Sequence, residues 1–484
     1  MTAADLCFLS AREMAALVAT GQVTAVELVE AHLDRIDAVD HAVNAVVTLV
    51  PERALAEAAQ ADRAVREGRP LGALHGLPVA HKDTHRTAGI RTTYGSRIFA
   101  DLVPDDDELI VARMRAAGAI SIGKTNVPEF AAGSHTFNEV FGVSRNPYAL
   151  DRSAGGSSGG AAAALACGMH PLADGNDMGG SLRNPASFCN VVGLRPSTGR
   201  VPQYPSVLPW SSLTVPGPMA RSVDDVALLL SAVAGPDPRC PTSLGDDPAS
   251  LDGPLDVDLR GARVAWAPDL GGAVALDPAV AEVLVGQVGV FEALGCTVVE
   301  DCPDFSGAET VFRTLRAWQF QLAYGELLDR HRHLIKPSLA ANIEQGRTLR
   351  GEDVARAERT RGLLWERMQE FFGRYDVLLA AVSPVPPFDA RLEYPRTATG
   401  GDGSYLDWMR LAYYVSAAGC PALSVPAGFT RDGLPVGLQI VGAPGADRRV
   451  LEFGHMFETS TGHGRRRPPV VDAAVTAVAG GEPR

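Results

Sequence analysis

The spacing of apolar and polar positions marks out helices and short strands in turn. Thr24-Ala25-Val26-Glu27 is a capping-box pattern, and Leu28, Val29, Leu33 and Ile36 continue from it as the apolar stripe of a helix. Pro51 sits where a first helical turn tolerates proline, and an Ala/Glu/Arg-rich helix runs from it toward Gly68. The run Leu74 to Ala80 predicts a short strand ending at His81-Lys82-Asp83, while Arg145 to Ala154 reads as a polar loop. Glu108 to Ala117 predicts a helix stopped by Gly118, followed by a buried strand over Ala119 to Ile122. Val223 to Ala234 predicts another helix, closed by Gly235 and Pro236, and the Pro-, Asp- and Gly-rich stretch from Pro236 to Pro254 reads as a surface excursion. Further strands are predicted at Ala262 to Ala267, Cys296 to Glu300, Val377 to Val382, Ala422 to Val425 and Val436 to Val441, with helices between many of them. Alternation of this kind favours a layered α/β fold.

Composition narrows the setting. The 484 residues are 46% hydrophobic and 21% charged, an ordinary globular balance. That length allows two or three domains or one large α/β unit. A net charge of −13 argues against nucleic acid or an anionic membrane surface as the main partner. Seven cysteines without a CxxC pair point to a reducing compartment. The N-terminal stretch lacks a basic region followed by a long apolar core, and no apolar run reaches membrane-spanning length. The expectation is a cytoplasmic protein with no cofactor and no metal.

Three patterns compete to explain the chemistry. Gly118 to Thr125 satisfies GxxxxGK[ST], but its intervening positions are apolar and β-branched, and Pro128 follows where a phosphate-binding helix should be under way. This reads as a strand and a chance match. Gly155-Gly156-Ser157-Ser158-Gly159 satisfies GxSxG, which needs a hydrophobic strand before the serine. With His331, His333, His455 or His463 as base, it keeps an esterase of the α/β-hydrolase kind open. The third pattern is the pair of glycine-framed serines, Ser157 and Ser181, together with Lys82. Asp177-Met178-Gly179-Gly180-Ser181 reads as a hydroxyl nucleophile beside amides able to hold an oxyanion. A lysine that follows an apolar strand can be buried, which disfavours its ammonium form and leaves a competent proton acceptor. His75, His81 and His85 read as loop and surface histidines, without a further ligand cluster to make them a metal site.

These residues carry a resemblance. Gly76-Leu77-Pro78-Val79-Ala80-His81-Lys82-Asp83, Gly123-Lys124-Thr125-Asn126, Gly155-Gly156-Ser157-Ser158-Gly159-Gly160, Asp177-Met178-Gly179-Gly180-Ser181-Leu182-Arg183, Gly193-Leu194-Arg195-Pro196 and Gly433-Leu434-Pro435-Val436-Gly437-Leu438-Gln439 occur in that order. The chain resembles the amidase signature family, serine hydrolases with a Ser–Ser–Lys triad, over nearly its whole length. The resemblance implies a three-layer α/β/α sandwich around a large mixed sheet. It implies one domain over 1–484, with an N-terminal helical segment at about 1–70, a signature core at about 71–235, and a remaining α/β part with a family-like C-terminal region at about 236–484.

Carried over, Ser181 matches the nucleophile, Ser157 the bridging serine, whose peptide bond is cis in the family, and Lys82 the base. The amides of Met178, Gly179, Gly180 and Ser181 would hold the oxyanion. Asp177 and Arg183 would form an ion pair shaping the loop, and Ser158 would assist the hydrogen bonds near Lys82. The stretch from Asn126 to Ala131 would line the site, with Ala131 leaving room for an acyl group. Asn176 departs from the threonine usual in the family, and His81 is a less usual neighbour of the lysine. Trp210, Trp318, Tyr324, Trp408, Tyr413 and Tyr414 could cover an acyl or aryl pocket. The implied activity is hydrolysis of a small amide without a partner protein. Carbamate or lactam hydrolysis, an esterase, and the amidase subunit of a glutamine-dependent tRNA amidotransferase remain as alternatives. A purely binding protein has no need of all three triad positions. A homodimer follows from the resemblance alone.

Overall fold

The computed structural model describes residues 3–396 and 403–472; the outermost ends of the 1–484 span and 397–402 lie outside the described residues. The strands are β1 (Val46–Leu49), β2 (Pro78–Lys82), β3 (Ile120–Thr125), β4 (Phe137–Asn138), β5 (Gly142–Val143), β6 (Arg145–Asn146), β7 (Ala149–Ser153), β8 (Leu172–Asp177), β9 (Val192–Arg195), β10 (Val215–Ala220), β11 (Arg263–Trp266), β12 (Thr297–Glu300), β13 (Val377–Ala381), β14 (Ala422–Phe429) and β15 (Pro435–Val441). Eight of them form one mixed sheet in the order β12-β11-β13-β15-β14-β9-β10-β8. β12, β11 and β13 run parallel, and the pairings from β13 to β8 are antiparallel. Every position of β13 and β15 is buried, so both faces of the sheet are covered, which is the α/β/α layering expected. β1, β3 and β2 make a separate small sheet, and β2 abuts the edge strand β8.

Local signals explain most elements. Thr24 caps the helix Ala25–Val43 in a full capping box, and Pro51 opens the helix Pro51–Arg66. The helices Leu109–Ala116 and Val223–Val233 stand as expected. The strand placed at Leu74 starts only at Pro78: a turn closed by Leu77 N–H on the Leu74 carbonyl occupies the earlier residues, and the strand runs on through Lys82. The loop expected over Arg145 to Ala154 is instead the hairpin β6–β7, whose strands are short and partly exposed and so lack an apolar pattern. β8 (LADGND) and β10 (VPGPMA) have no sequence signal as strands, being polar or proline-rich. β10 pairs with β9 only at Met219 and Ala220, so its two prolines face little ladder demand on that side. One buried apolar cluster extends from Leu6 to Val471, and a smaller one joins Phe130 to Phe320 and Ile343.

Candidate active site

The site forms where the two sheets meet. Lys82, the last residue of β2, is fully buried, and its main-chain N–H donates to Asp174 Oδ1 on β8 at 2.7 Å. The other Asp174 oxygen takes His81 Nδ1, and His81 Nε2 pairs with Ser121 Oγ at 3.0 Å. Thus the unusual histidine before the lysine pins β2 to β8. Lys82 Nζ lies 2.8 Å from Ser157 Oγ and 2.8 Å from Asn176 Oδ1. Burial pushes the amine down to about 7, against the pull of Asp177, Asp174 and Glu108.

Ser157 sits between β7 and the helix Gly159–Ala166, and the Gly156–Ser157 peptide bond is cis. Close approach sets this turn. A Cβ on Gly160 would stand 2.4 Å from the Asn126 nitrogen and 2.7 Å from the Ala45 carbonyl oxygen. Ser134 Oγ donates to the Gly156 carbonyl and Thr136 Oγ1 to the Gly155 carbonyl, which fixes the segment before Ser157. Ser158 N–H donates to the Ser181 carbonyl at 3.2 Å, so the two serine clusters are joined through the main chain.

Ser181 follows β8 in the loop that leads to the helix Arg183–Phe188. Asp177 organises that loop. It accepts from Gly180 N–H at 2.8 Å and Leu182 N–H at 3.2 Å, and it holds Arg183 through Nε and Nη2 at 3.0 and 2.9 Å. Arg195 lies 3.4 Å away on the same carboxylate. Burial alone would raise the Asp177 carboxyl, but the two guanidiniums and the amides hold it well below the ordinary range. Arg183 is completely buried and also donates to Gln439 Oε1, Ser416 Oγ and the Ala412 carbonyl.

A cavity of about 490 Å³ opens over the loop that carries Ser181. Ser157, Ser181, Met178, Gly179, Ala131 and Asn176 line it, with Tyr94, Phe130, Phe320, Tyr324, Glu108 and Arg316 among the other walls. Phe130 and Ala131 both adopt left-handed backbone conformations, φ 49 and 55, and Lys336 Nζ braces the turn through the Ala132 carbonyl.

Several expected residues stand elsewhere. Ser158 Oγ has no hydrogen-bond partner and does not join the network at Lys82. Asn126 braces its own loop, donating to Ser144 Oγ at 3.0 Å and accepting from Asn138 Nδ2 at 2.7 Å. Of the six aromatic residues expected to cover a pocket, Tyr324 lines the cavity, and Trp318 packs against the large apolar cluster instead. Trp210 is exposed, Trp408 stacks on Phe188, Tyr413 stacks on Phe312 behind Gly179, and Tyr414 meets Glu309. None of His331, His333, His455 and His463 is among the lining residues. Two of the three early histidines are not at the surface: His81, in β2, and His85 are both buried, and with His75 on the Ala61 carbonyl and His85 paired with Glu108 the three have separate partners. The GxxxxGKT match is the buried strand β3, and Lys124 Nζ is bound to the His85 carbonyl and Thr87 Oγ1.

Sequence reasoning missed Asp174, the role of Asn176 as a ligand of Lys82, and Arg316. Asp174 and Asn176 lie in a strand with no apolar pattern, and Arg316 is one arginine among several in the helix Ala308–His331. Nothing local singles out Asp174 or Arg316, and Asn176 stands out in the sequence only as a departure from the threonine usual in the family.

A family model described as Amidase matches residues 27–451. The chain belongs to the amidase family. It is similar to an acylamidase of Rhodococcus erythropolis, 38% identical over 483 residues that cover 99% of this chain and all of that one. A glutamyl-tRNA(Gln) amidotransferase subunit of Moorella thermoacetica is 36% identical, covering 96% and 99%. The fold superposes on a bacterial aryl acylamidase of the amidase signature enzymes with a TM-score of 0.88 at 28% identity and 99% coverage of both chains. It also superposes on 6-aminohexanoate cyclic dimer hydrolase with a TM-score of 0.86 at 28% identity, covering 96% and 99%. Family membership and these relatives make the protein a hydrolase of amide C–N bonds.

Proposed function

We propose that the protein hydrolyses small amides through an acyl-enzyme on Ser181, acting without a partner protein. The observation that carries this reading is the 2.8 Å contact of buried Lys82 with Ser157, beside a cavity that Ser157 and Ser181 share. Neutral Lys82 takes the Ser157 hydroxyl proton as Ser157 takes that of Ser181, and Ser181 Oγ attacks the carbonyl carbon. Gly180 N–H is committed to Asp177, so the oxyanion falls to the amides of Met178, Gly179 and Ser181. The proton returns through Ser157 to the leaving nitrogen and the C–N bond breaks; water then attacks the ester as its proton passes through Ser157 to Lys82, and that proton returns to Ser181 Oγ as the ester C–O bond breaks and the acid leaves. Protonation matters because an amine anion is a very poor leaving group. A positioned acid of this kind contributes about 10²–10⁴-fold.

Aromatic walls beside Ala131 suit an aryl or alkyl acyl group. The relay would serve a carbamate, lactam or ester equally well in its first half. The single-domain reading rests on the continuous core, and a cytoplasmic setting on seven free cysteines and the absence, among the described residues, of a helix long and apolar enough to cross a membrane. A homodimer belongs to the same proposal.

The test is a panel of amides, anilides, carbamates and matched esters given to the isolated protein and to Ser181→Ala. Amide turnover lost in the variant is expected. Turnover of esters alone overturns the amide reading. Glutamine hydrolysis that appears only with added amidotransferase partners overturns independent action.

A further inference from the structure

We propose that Arg316 selects amides that carry a carboxylate, binding that group inside the catalytic cavity next to the nucleophile loop. The inference rests on the amide reading and names its substrate class. Arg316 lies on the helix Ala308–His331, lines the cavity and is only 4% exposed. Its partners are all neutral: Nε donates to Asn342 Oδ1 at 3.0 Å, Nη2 to Tyr405 OH at 2.8 Å, and Nη1 to Met178 Sδ at 3.1 Å. Its guanidinium carbon stands 4.1 Å over the Phe320 ring. Among the described residues no carboxylate reaches it. The other charged walls of the cavity are paired, Arg86 with Asp106 and Glu108 with His85. Among the described residues, Arg316 is thus the charged wall of the cavity that no carboxylate compensates.

A buried cation is costly without an anion, and among the described residues every protein contact here is neutral. Of the five guanidinium N–H groups, three are engaged, one of them on sulfur, a weak acceptor. The remaining hydrogens suit the planar oxygens of a carboxylate. Met178 links this cation to the loop that carries Ser181, so an anion bound there lies in the same cavity as the reacting carbonyl. A neutral acyl chain would leave the charge buried and uncompensated. A dicarboxylic half-amide, or an anilide with a carboxylate on its ring, would neutralise it.

The experiment compares kcat/KM for glutaryl- and valeryl-4-nitroanilide, and for 4-acetamidobenzoate and acetanilide, so that the acyl and amine sides are probed separately. Wild type should favour the charged member of at least one pair about tenfold or more, with the difference carried by KM. Arg316→Gln should bring that ratio toward one, whatever happens to absolute rates, and Arg316→Lys should retain part of it. A role confined to holding Met178 would lower both members of a pair alike. Free glutarate should raise the Tm of wild type and not of Arg316→Gln. A wild-type ratio of one or less in both pairs, or a ratio that survives Arg316→Gln, overturns the proposal. Silence on all four substrates with the glutarate shift retained counts against the amide reading only; silence without the shift overturns both.

Discussion

Two lysines lie on neighbouring strands of the small sheet, and both are fully buried. β2 and β3 pair His81 with Lys124 and Lys82 with Thr125. Burial lowers both amines, Lys82 to about 7 and Lys124 to about 8. Their surroundings separate them. Lys124 donates to the His85 carbonyl and to Thr87 Oγ1, and Thr87 donates onward to that same carbonyl, so the chain of hydrogen bonds closes on itself. Lys82 meets Ser157, whose hydroxyl opens on the cavity shared with Ser181. A depressed pKa alone therefore does not make a base. In the proposed mechanism, the hydroxyl that leads the proton out does.

The largest effect expected is on the far end of that relay. Ser181→Ala should reduce amide turnover by about 10⁴–10⁶-fold, measured as amine release, because the triad acts as a unit. Next, Lys82→Ala should lower anilide hydrolysis by about 10²–10⁴-fold and a matched ester by clearly less, since an alkoxide leaves with less acid help. Equal losses on both substrates would break the view of Lys82 as the source of the leaving-group proton.

The pH profile sharpens the same point. Lys82 must be neutral to accept a proton, so kcat/KM should fall about tenfold per unit below its pKa of about 7 and level off above it. The folded value lies below the ordinary 10.5, so the folded state binds fewer protons across that window, and the Lys82 contribution to stability grows as pH rises from about 7 toward 10.5. Asn176→Ala should cost about 5–10-fold in kcat/KM, because Lys82 Nζ keeps Ser157 but loses its second acceptor. The smallest change in activity belongs to Lys124→Met. Its folded fraction should turn over within about threefold of wild type, while loss of two buried hydrogen bonds lowers stability by about 1–3 kcal/mol, read as a lower Tm. Activity losses of similar size in Lys124→Met and Lys82→Ala would erase the distinction between the two lysines.

Much of the fold was legible because the signals were local. The capping box at Thr24, the proline at Pro51 and the apolar runs that became β11, β12, β13 and β15 each bury or cap themselves in a way their neighbours announce. β8 and β10 were not legible. Their polar and proline residues occupy strand geometry because β10 is held between β9 and β8, and the edge strand β8 is held by β10 and by the ion pair of Asp177 with Arg183.

Glycine and hydroxyl spacing in the chain pointed to the turns at Ser157 and Ser181, and the apolar run before Lys82 to a buried lysine, because close main-chain approach and burial demand those residue types; the roles of nucleophile, bridging serine and base came from the family resemblance. Only the tertiary structure shows what sets the two buried lysines apart. Lys82 and Lys124 have equally apolar neighbourhoods in sequence, and their difference lies in partners that arrive from distant segments, Ser157 and Asn176 for one, the His85–Thr87 turn for the other. Tertiary structure also placed Arg316 against the nucleophile loop, more than a hundred residues along the chain from Met178, where its charge has no carboxylate among the described residues to meet it. Charge compensation is a property of three-dimensional neighbours, and no local pattern along the chain encodes it.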